Sequence, residues 1–414
     1  MESYAPDKIR NVALLGHYNA GKTTLAEVMA FRSGAISRLG NVDDGTSVSD
    51  YDPSEANRHM SINLAMLPLE WRGCKVNLLD APGYADFFGE AMAALRVSDA
   101  AAIVLCASSS VEVGTEQAWS HARELGLPSN ADFTKCMAAI HSRLSSRCVA
   151  IQMPIGAEST FKGYVDLVTL RAFSPEGESD VPAELKDAAL ALRESLIEVV
   201  VEADDSLMNK YLEGTPLTNE EVASALREAT ARGVASPVVV SSATKGVGLE
   251  AVLDTMCACL PSPVARQLAA SQPALSATGP LAALVFKTTA DPFTGKVSYF
   301  RIYSGEISSN SQVLNVNKNT TERIGQLFLP LGKQQMTVAK VSAGDIGAVA
   351  KLNVTGTGDT LGAKDQPALP GIAFPKATYT MAVEPETKGD LDKMSTILPR
   401  MLEEDPTLQQ KRDP

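Results

Sequence analysis

Apolar positions along the chain follow two rhythms. Up to residue 262, short apolar runs of strand length alternate with stretches in which apolar residues recur every three to four positions. "NVALL" (11–15), "KVNLL" (75–79), "AAIVLCA" (101–107) and "PVVVSSA" (237–243) read as buried strands. "AELKDAALALRESLIEVVVEAD" reads as helix within an insertion at about 155–236. Strands alternating with helices predict an α/β domain over 1–262. An alanine-rich stretch with serine and proline, 263–280, reads as a linker. Beyond it, "AALVFKTTA", "KVSYFRIYSG", "SQVLNVNKN" and "GDIGAVAKL" are short, turn-bounded and partly alternating, which predicts a small antiparallel β-barrel over 281–370. The remaining residues, 371–414, read as a partial α+β domain. Its helix repeats apolar residues at Leu391, Met394, Leu398 and Met401. Pro399 inside that helix predicts a kink, because an interior proline costs up to about 3 kcal/mol.

Composition narrows the classes. With 414 residues, 45% hydrophobic and 21% charged, the chain is long enough for two or three domains with cores of their own. A net charge of −12 argues against a surface that coats polyanions generally, while leaving room for local basic patches. No apolar run reaches the ~18 residues of a membrane span, and "MESYAPDKIR" has no apolar leader segment. A soluble, cytoplasmic monomer is expected. The six cysteines lie scattered in apolar surroundings without a C-x-x-C pair, so reduced core thiols are expected and a cysteine metal site is not. The four histidines show no spacing that suggests a metal.

The chemistry begins at "GHYNAGKTTL", which meets the pattern G-x-x-x-x-G-K-[ST] with Gly16, Gly21, Lys22 and Thr23. A strand precedes it and a helical pattern follows, the context in which such a loop cradles phosphate. Glycines let backbone N–H groups turn inward, and the helix start adds the positive end of its dipole. Lys22 supplies a point charge to the β and γ phosphates and the Thr23 hydroxyl can ligate Mg²⁺. Asn19, Ala20, Gly21 and Thr24 complete the candidate phosphate loop. About fifty-five residues on, "DAPGYADF" delivers Asp80 and Gly83 at a strand's carboxyl end, suited to water-mediated Mg²⁺ binding and to sensing of the γ-phosphate. Between the two motifs, "GNVDDGTSVSDYDPSEANRHMSI" (40–62) has few apolar anchors and is expected to be mobile until a ligand orders it, with Ser61 offering a hydroxyl to Mg²⁺.

Taken in order, "GHYNAGKTTL", "SDYDPSEANRHMSI", "DAPGYADF", "ALRVSDAAAIVL", "EVGTEQAWSHARELGLP", "PIGAESTFKGYVDLV" and "EPETKGDLDKMSTILPRMLEEDPTL" make the chain resemble elongation factor G, and more narrowly the elongation-factor-G-like paralogues with Tyr after D-x-P-G. The resemblance covers nearly the whole chain. It implies a P-loop GTPase domain with a helical insertion, a translation-factor β-barrel, then further α+β domains, with GTP and Mg²⁺ bound and GTP hydrolysed on the ribosome (rRNA and ribosomal proteins) during translocation or recycling. Against that pattern the sequence is expected to be an N-terminal fragment.

Two departures bear on activity. The family reads guanine with N-K-x-D after the strand that follows "AWSHARELGLP", but here Pro128 leads directly into "SNADFTKCMAAIHSRL", so strand and motif are both missing. "NKYL" at 209, "NKNT" at 317 and "TKCM" at 134 are not convincing substitutes. The base-side loop "SSATKG" is intact, with Ser242, Ala243 and Thr244 expected against the base. Without the lost strand, 101–107 and 238–243 must pair directly or leave exposed ladder groups. Tyr84 stands where the resemblance implies a His that orients the attacking water. A Tyr, with a pKa near 10, can hydrogen-bond that water but is a poor base at pH 7. Tyr84, Gly83 and Lys22 are the candidate catalytic residues, and Thr23, Ser61 and Asp80 the candidate metal ligands. Three functions stay open on the sequence: a translational GTPase, a ribosome-binding module that has lost nucleotide turnover, and a P-loop ATPase outside translation.

Overall fold

The structure, a computed structural model, describes residues 3–107, 109–124, 135–269, 278–291, 295–364, 366–377 and 379–411. The first domain opens with β1 (Ile9–Leu15), α1 (Lys22–Arg32), α2 (Pro53–Arg58), β2 (Ala65–Trp71), β3 (Cys74–Asp80), α3 (Phe88–Arg96), β4 (Ala100–Ile103), α4 (Val113–Glu124), α5 (Lys135–Arg143) and β5 (Cys148–Ala150). β1 to β4 form one sheet in the order β2-β3-β1-β4, with β1 parallel to β3 and β4 and with β2 antiparallel to β3. Every second residue of β1 goes to the same face, which is why the strand reads as a continuous apolar run. Val12 and Leu14 join a core with Leu25 and Met29 of α1, while Ala13 and Leu15 join a second core with Leu95 and Trp119 from α3 and α4.

The insertion follows as β6 (Gln152–Ile155), β7 (Gly163–Asp166), β8 (Arg171–Ser174), β9 (Gly177–Asp180), α6 (Lys186–Val200), α7 (Asp205–Leu212) and α8 (Asn219–Ala231). Its helices were expected; its four-stranded antiparallel sheet, β6-β7-β8-β9, was not. Each of those strands is four residues long, too short for an alternating pattern to stand out. The chain then returns through β10 (Ser236–Val238) and α9 (Leu249–Cys259), which packs on α1. β10 pairs in parallel with β5. The first part of the stretch read as linker is helix α10 (Pro263–Ala269), started by a proline at its first position.

The β-rich domain comprises β11 (Ala282–Asp291), β12 (Gly295–Ser304), β13 (Glu306–Ser308), β14 (Gln312–Asn315), β15 (Thr320–Arg323), β16 (Leu327–Leu331), β17 (Gln334–Val338), β18 (Lys340–Ser342), β19 (Ile346–Ala350) and β20 (Thr360–Gly362). Eight of these form one antiparallel sheet in the order β15-β14-β20-β11-β12-β19-β16-β17, and β13 pairs with β18. α11 (Lys388–Glu404) is the last helix of the described residues, with Pro399 inside it. Its apolar stripe does not enter a core: Leu391 and Met401 are exposed. The helix is fastened at its end instead, where Glu403 pairs with Lys296 and Glu404 accepts the Ala290 N–H at 2.5 Å.

Candidate functional site

The carboxyl ends of β1 and β3, which lie side by side and parallel, hold the two phosphate-type motifs together. Gly16 leaves β1 with φ +144°, and a Cβ there would sit 2.3 Å from the Val104 carbonyl oxygen, so only glycine fits. Gly21, also at positive φ, caps α1, and exposed Asn19 takes the left-handed conformation between them. Ala20 and Thr24 are half-buried beside it. Lys22 opens α1 and is buried; its Nζ donates to the His17 carbonyl oxygen at 3.0 Å. Burial holds its pKa below the usual lysine value, against the opposing pull of Asp80 and Asp50. Gly83 belongs to the same corner: a Cβ on it would come within 2.4 Å of Lys22 Nζ and 2.8 Å of the Tyr18 backbone nitrogen.

Four oxygen-bearing side chains converge beside Lys22. Thr23 Oγ1 and Ser61 Oγ are 3.0 Å apart. Asp80, at the end of β3, is 1% exposed, and neither of its carboxylate oxygens accepts a hydrogen bond, although the Thr23 and Ser49 hydroxyls are near enough to favour its charged form slightly. Burial, then the neighbouring Asp50, push its pKa up to about 7, and Lys22 draws it back in part. Asp50 is itself buried, with Oδ2 unpartnered, and burial raises its pKa while Ser61 and Lys22 lower it. A buried carboxylate with no partner costs several kcal/mol, which a bound cation offsets. Thr23, Ser61, Asp50 and Asp80 present hard oxygen donors and so fit Mg²⁺. Among the described residues no group of three or more His, Cys, Asp or Glu forms a complete metal cage. A cation here therefore needs oxygens from water and phosphate as well, which is the habit of Mg²⁺.

Asp50 was missed by sequence reasoning. It lies in a stretch that also contains Asp43, Asp44 and Asp52, and nothing in the residue string singles it out. In the structure two buried glutamates hold that stretch by hydrogen bonds. Glu27 of α1 accepts from the Gly40 and Val48 N–H groups, both at 2.8 Å. Glu55 of α2, buried, accepts from the N–H groups of Ile62 and Asn63 at 3.0 and 2.8 Å and so fixes the approach to Ser61. The anchors are buried carboxylates, which an apolar pattern does not reveal. His17, given no site and no acidic partner from sequence, pairs with Glu112 at 3.5 Å.

Tyr84 follows Gly83 beside the P-loop. Its ring packs on Tyr18, centroids 4.4 Å apart at 46°, with both rings more than a third exposed. Partial burial and the Tyr18 hydroxyl raise its pKa further above the ordinary phenol value. The base-side loop stands after β10: Ser242 and Val247 exchange backbone hydrogen bonds at 2.9 and 3.1 Å, and Ser242 Oγ lies 3.3 Å from Thr244 Oγ1. Ala243 is half-buried in the loop. Lys245 Nζ donates to the Ser159 carbonyl oxygen at 2.6 Å, tying the loop to the insertion. The other three candidate motifs lie elsewhere. Lys210 on α7 is held by Glu221, and in the β-rich domain Lys318 pairs with Asp359 at 2.7 Å. The third, at 134, begins outside the described residues.

Residues 7–262 match the family model described as elongation factor Tu GTP binding domain, residues 280–364 that of elongation factor G domain 2, and residues 374–414 that of elongation factor G domain III. The chain belongs to the elongation-factor-G-like translational GTPases. It is also similar to a solved structure, the crystal structure of ttk003000868 from Thermus thermophilus, at 33% identity and a TM-score of 0.89 over 98% of this chain. It spans 62% of the length of that structure's chain. The described residues bring no acidic side chain from an N-K-x-D motif to the base side. No helix among them is long and apolar enough to cross a membrane.

Proposed function

We propose that the chain binds Mg²⁺ with a guanine nucleoside triphosphate and hydrolyses it, as the GTPase portion of an elongation-factor-G-like protein that acts on the ribosome in translocation or recycling. The cytoplasm and a monomeric state fit that role. The observation that carries the reading is Asp80, buried and unpaired beside Lys22 and the Thr23–Ser61 hydroxyl pair. Lys22 would leave the His17 carbonyl for the β and γ phosphates, with Gly16, Asn19, Ala20, Gly21 and Thr24 lining the phosphate loop. Thr23, Ser61 and Asp80, with Asp50 behind them, would hold Mg²⁺, whose positive charge stabilises the charge that develops on the phosphate oxygens. The Gly83 N–H would face the γ-phosphate. Tyr84 would orient the attacking water as a hydrogen-bond partner and not as a base, which makes hydrolysis slow or dependent on an outside trigger.

Base recognition is the weak half. The loop Ser242, Ala243 and Thr244 supports a base from one side, but the carboxylate that accepts two hydrogen bonds from guanine is missing. At ~1.5 to 3 kcal/mol each, their loss weakens GTP by roughly 10² to 10⁴ fold and erodes discrimination against ATP. Tyr84 together with that loss favours a second reading, a ribosome-binding module that keeps the fold and has lost turnover. Single-turnover hydrolysis with and without purified ribosomes separates the two. Ribosome-stimulated phosphate release that disappears in Lys22→Ala is the expected result, and ribosome binding with no release in either protein establishes the module. ATP turnover indifferent to ribosomes would point to the third reading.

A further inference from the structure

The segment that carries Asp50 and Ser61 meets the β-rich domain at three places. Just past Ser61, the Leu64 N–H donates to Glu90 Oε2 of α3 at 2.6 Å, and the same carboxylate oxygen pairs with Lys287 of β11. Next to Asp50, the Tyr51 hydroxyl lies within hydrogen-bonding reach of the buried Tyr299 phenol on β12, directly across the ladder from Lys287. Before Asp50, Val48 lies against the turn between β16 and β17: a Cβ on Gly332, at φ +58°, would come within 2.4 Å of the Val48 carbonyl oxygen. Lys287 reaches Glu90 only because β11 is irregular there. Leu284 and Phe286 face the core shared with the first domain, and Ala283 and Val285 face the β-rich domain's own core, so strict alternation would turn Lys287 inward with Val285. The register of β11 on β12 slips by one residue between Val285 and Lys287, a β-bulge, and Lys287 meets Glu90 instead. The bulge breaks the ladder locally, and an ammonium only 5% exposed is costly unless it is paired.

We propose that Lys287 is a positioning residue for the Mg²⁺ site: through Glu90 it fixes the chain beside Ser61, so that the seating of the β-rich domain sets the affinity for metal. This rests on the metal site proposed above. The path is short. Ser61 is three residues from Leu64, and the N–H groups of Ile62 and Asn63 between them are tied to Glu55, so a shift at Leu64 meets little slack before it reaches Ser61. Tyr299 holds Tyr51, the neighbour of Asp50, from the same domain. Two of the four oxygen donors therefore answer to the β-rich domain, while Thr23 and Asp80 stand on α1 and β3 of the first domain. Coupling of this kind is reciprocal, so Mg²⁺ tightens the seating of the β-rich domain by the same factor.

The test compares the full chain with Lys287→Met, Lys287→Arg and Tyr51→Phe, by isothermal titration with Mg²⁺ alone and by amide hydrogen exchange. Lys287→Met is expected to weaken Mg²⁺ binding about tenfold and to speed exchange at Ser61 and Leu64, with the β1 and β3 amides unchanged. Lys287→Arg, which keeps the charge, recovers most of the affinity. Tyr51→Phe, which loses only a hydroxyl, weakens Mg²⁺ about threefold. Equal affinity in Lys287→Met and the unaltered chain would overturn the proposal, because the pair would then fasten the domains without touching the metal site. So would an equal loss in Lys287→Arg, the mark of a packing defect. An unaltered chain that binds no Mg²⁺ defeats the metal site itself; exchange at Ser61 then decides the coupling, which stands if Lys287→Met speeds it and falls if it does not.

Discussion

Asp80 shows how one buried carboxyl ties stability to pH and, in the proposed site, to Mg²⁺. Its carboxyl is raised to about 7 in the folded chain from an ordinary 3.8, because burial outweighs the attraction of Lys22. The folded protein therefore holds a proton between those values that the unfolded chain has released. The stability contributed by this group is fully present below pH 3.8 and is lost as pH rises through 7. Mg²⁺ binding runs the other way, since it needs the charged form, so affinity for Mg²⁺ should climb as pH rises from about 6 to about 8. Asp80→Asn should remove that climb and, without metal, raise the thermal midpoint by several degrees at about pH 8. The gain should vanish near pH 4, where the native carboxyl is already neutral. Isothermal titration with Mg²⁺ and calorimetry across that range check both signs, and a midpoint that falls in the variant at the alkaline end contradicts them. That Lys22, Thr23 and Asp80 meet in one corner was legible in the sequence from the spacing of the two motifs. Asp50 was not, because its role depends on which of several neighbouring acids the folded loop carries inward.

At the scale of elements, the loop from 40 to 62 is held by carboxylates that act as surrogate strands. Glu55 accepts N–H groups from Ile62 and Asn63, and its own pKa is raised because burial outweighs those bonds. Glu55→Ala is expected to speed exchange of the Ile62 and Asn63 amides at least tenfold and to weaken Mg²⁺ binding through Ser61, at a cost of about 2–3 kcal/mol. Unchanged exchange at those amides would show that α2 does not anchor the segment. The main strands and helices of the first domain were readable because Val12–Leu15 and Leu78–Leu79 are apolar runs buried on both faces. The four short strands of the insertion and the anchoring of 40 to 62 were hidden, one by brevity and the other because its fasteners are polar.

For the whole molecule, the joint between the GTPase domain and the β-rich domain combines a shared apolar core with a buried polar network. Arg301 of β12 donates to Asp99 at 2.7 Å and to the Val97 carbonyl oxygen at 2.7 Å, and Lys75 of β3 donates to Asp345 at 2.7 Å. Asn11 and Asn77 link the two pairs: Asn11 donates to Asp99, and Asn77 donates to Asn11 and Asp345. Both ion pairs cross between domains, and Arg301, Asp99 and Lys75 are almost fully buried. Arg301→Ala would strand the Asp99 charge, destabilising the joint by about 3–5 kcal/mol. Calorimetry should then show the two domains melting separately, and Arg301→Met with Asp99→Leu should restore much of the coupling. A single unaltered transition in Arg301→Ala would mean that the joint rests on apolar contact alone. The domain order was readable from the change in hydrophobic rhythm, whereas this joint pairs residues more than 200 positions apart and leaves no local trace. The proposed nucleotide site keeps its phosphate half and lacks the carboxylate of its base half. Competitive equilibrium binding of fluorescent GTP and ATP analogues with Mg²⁺, with Lys22→Ala as control, tests it most directly. Mg²⁺-dependent binding of both nucleotides within about tenfold of each other, lost in Lys22→Ala, is the expected result. Tight GTP binding that ATP cannot displace, or no binding at all, would contradict it.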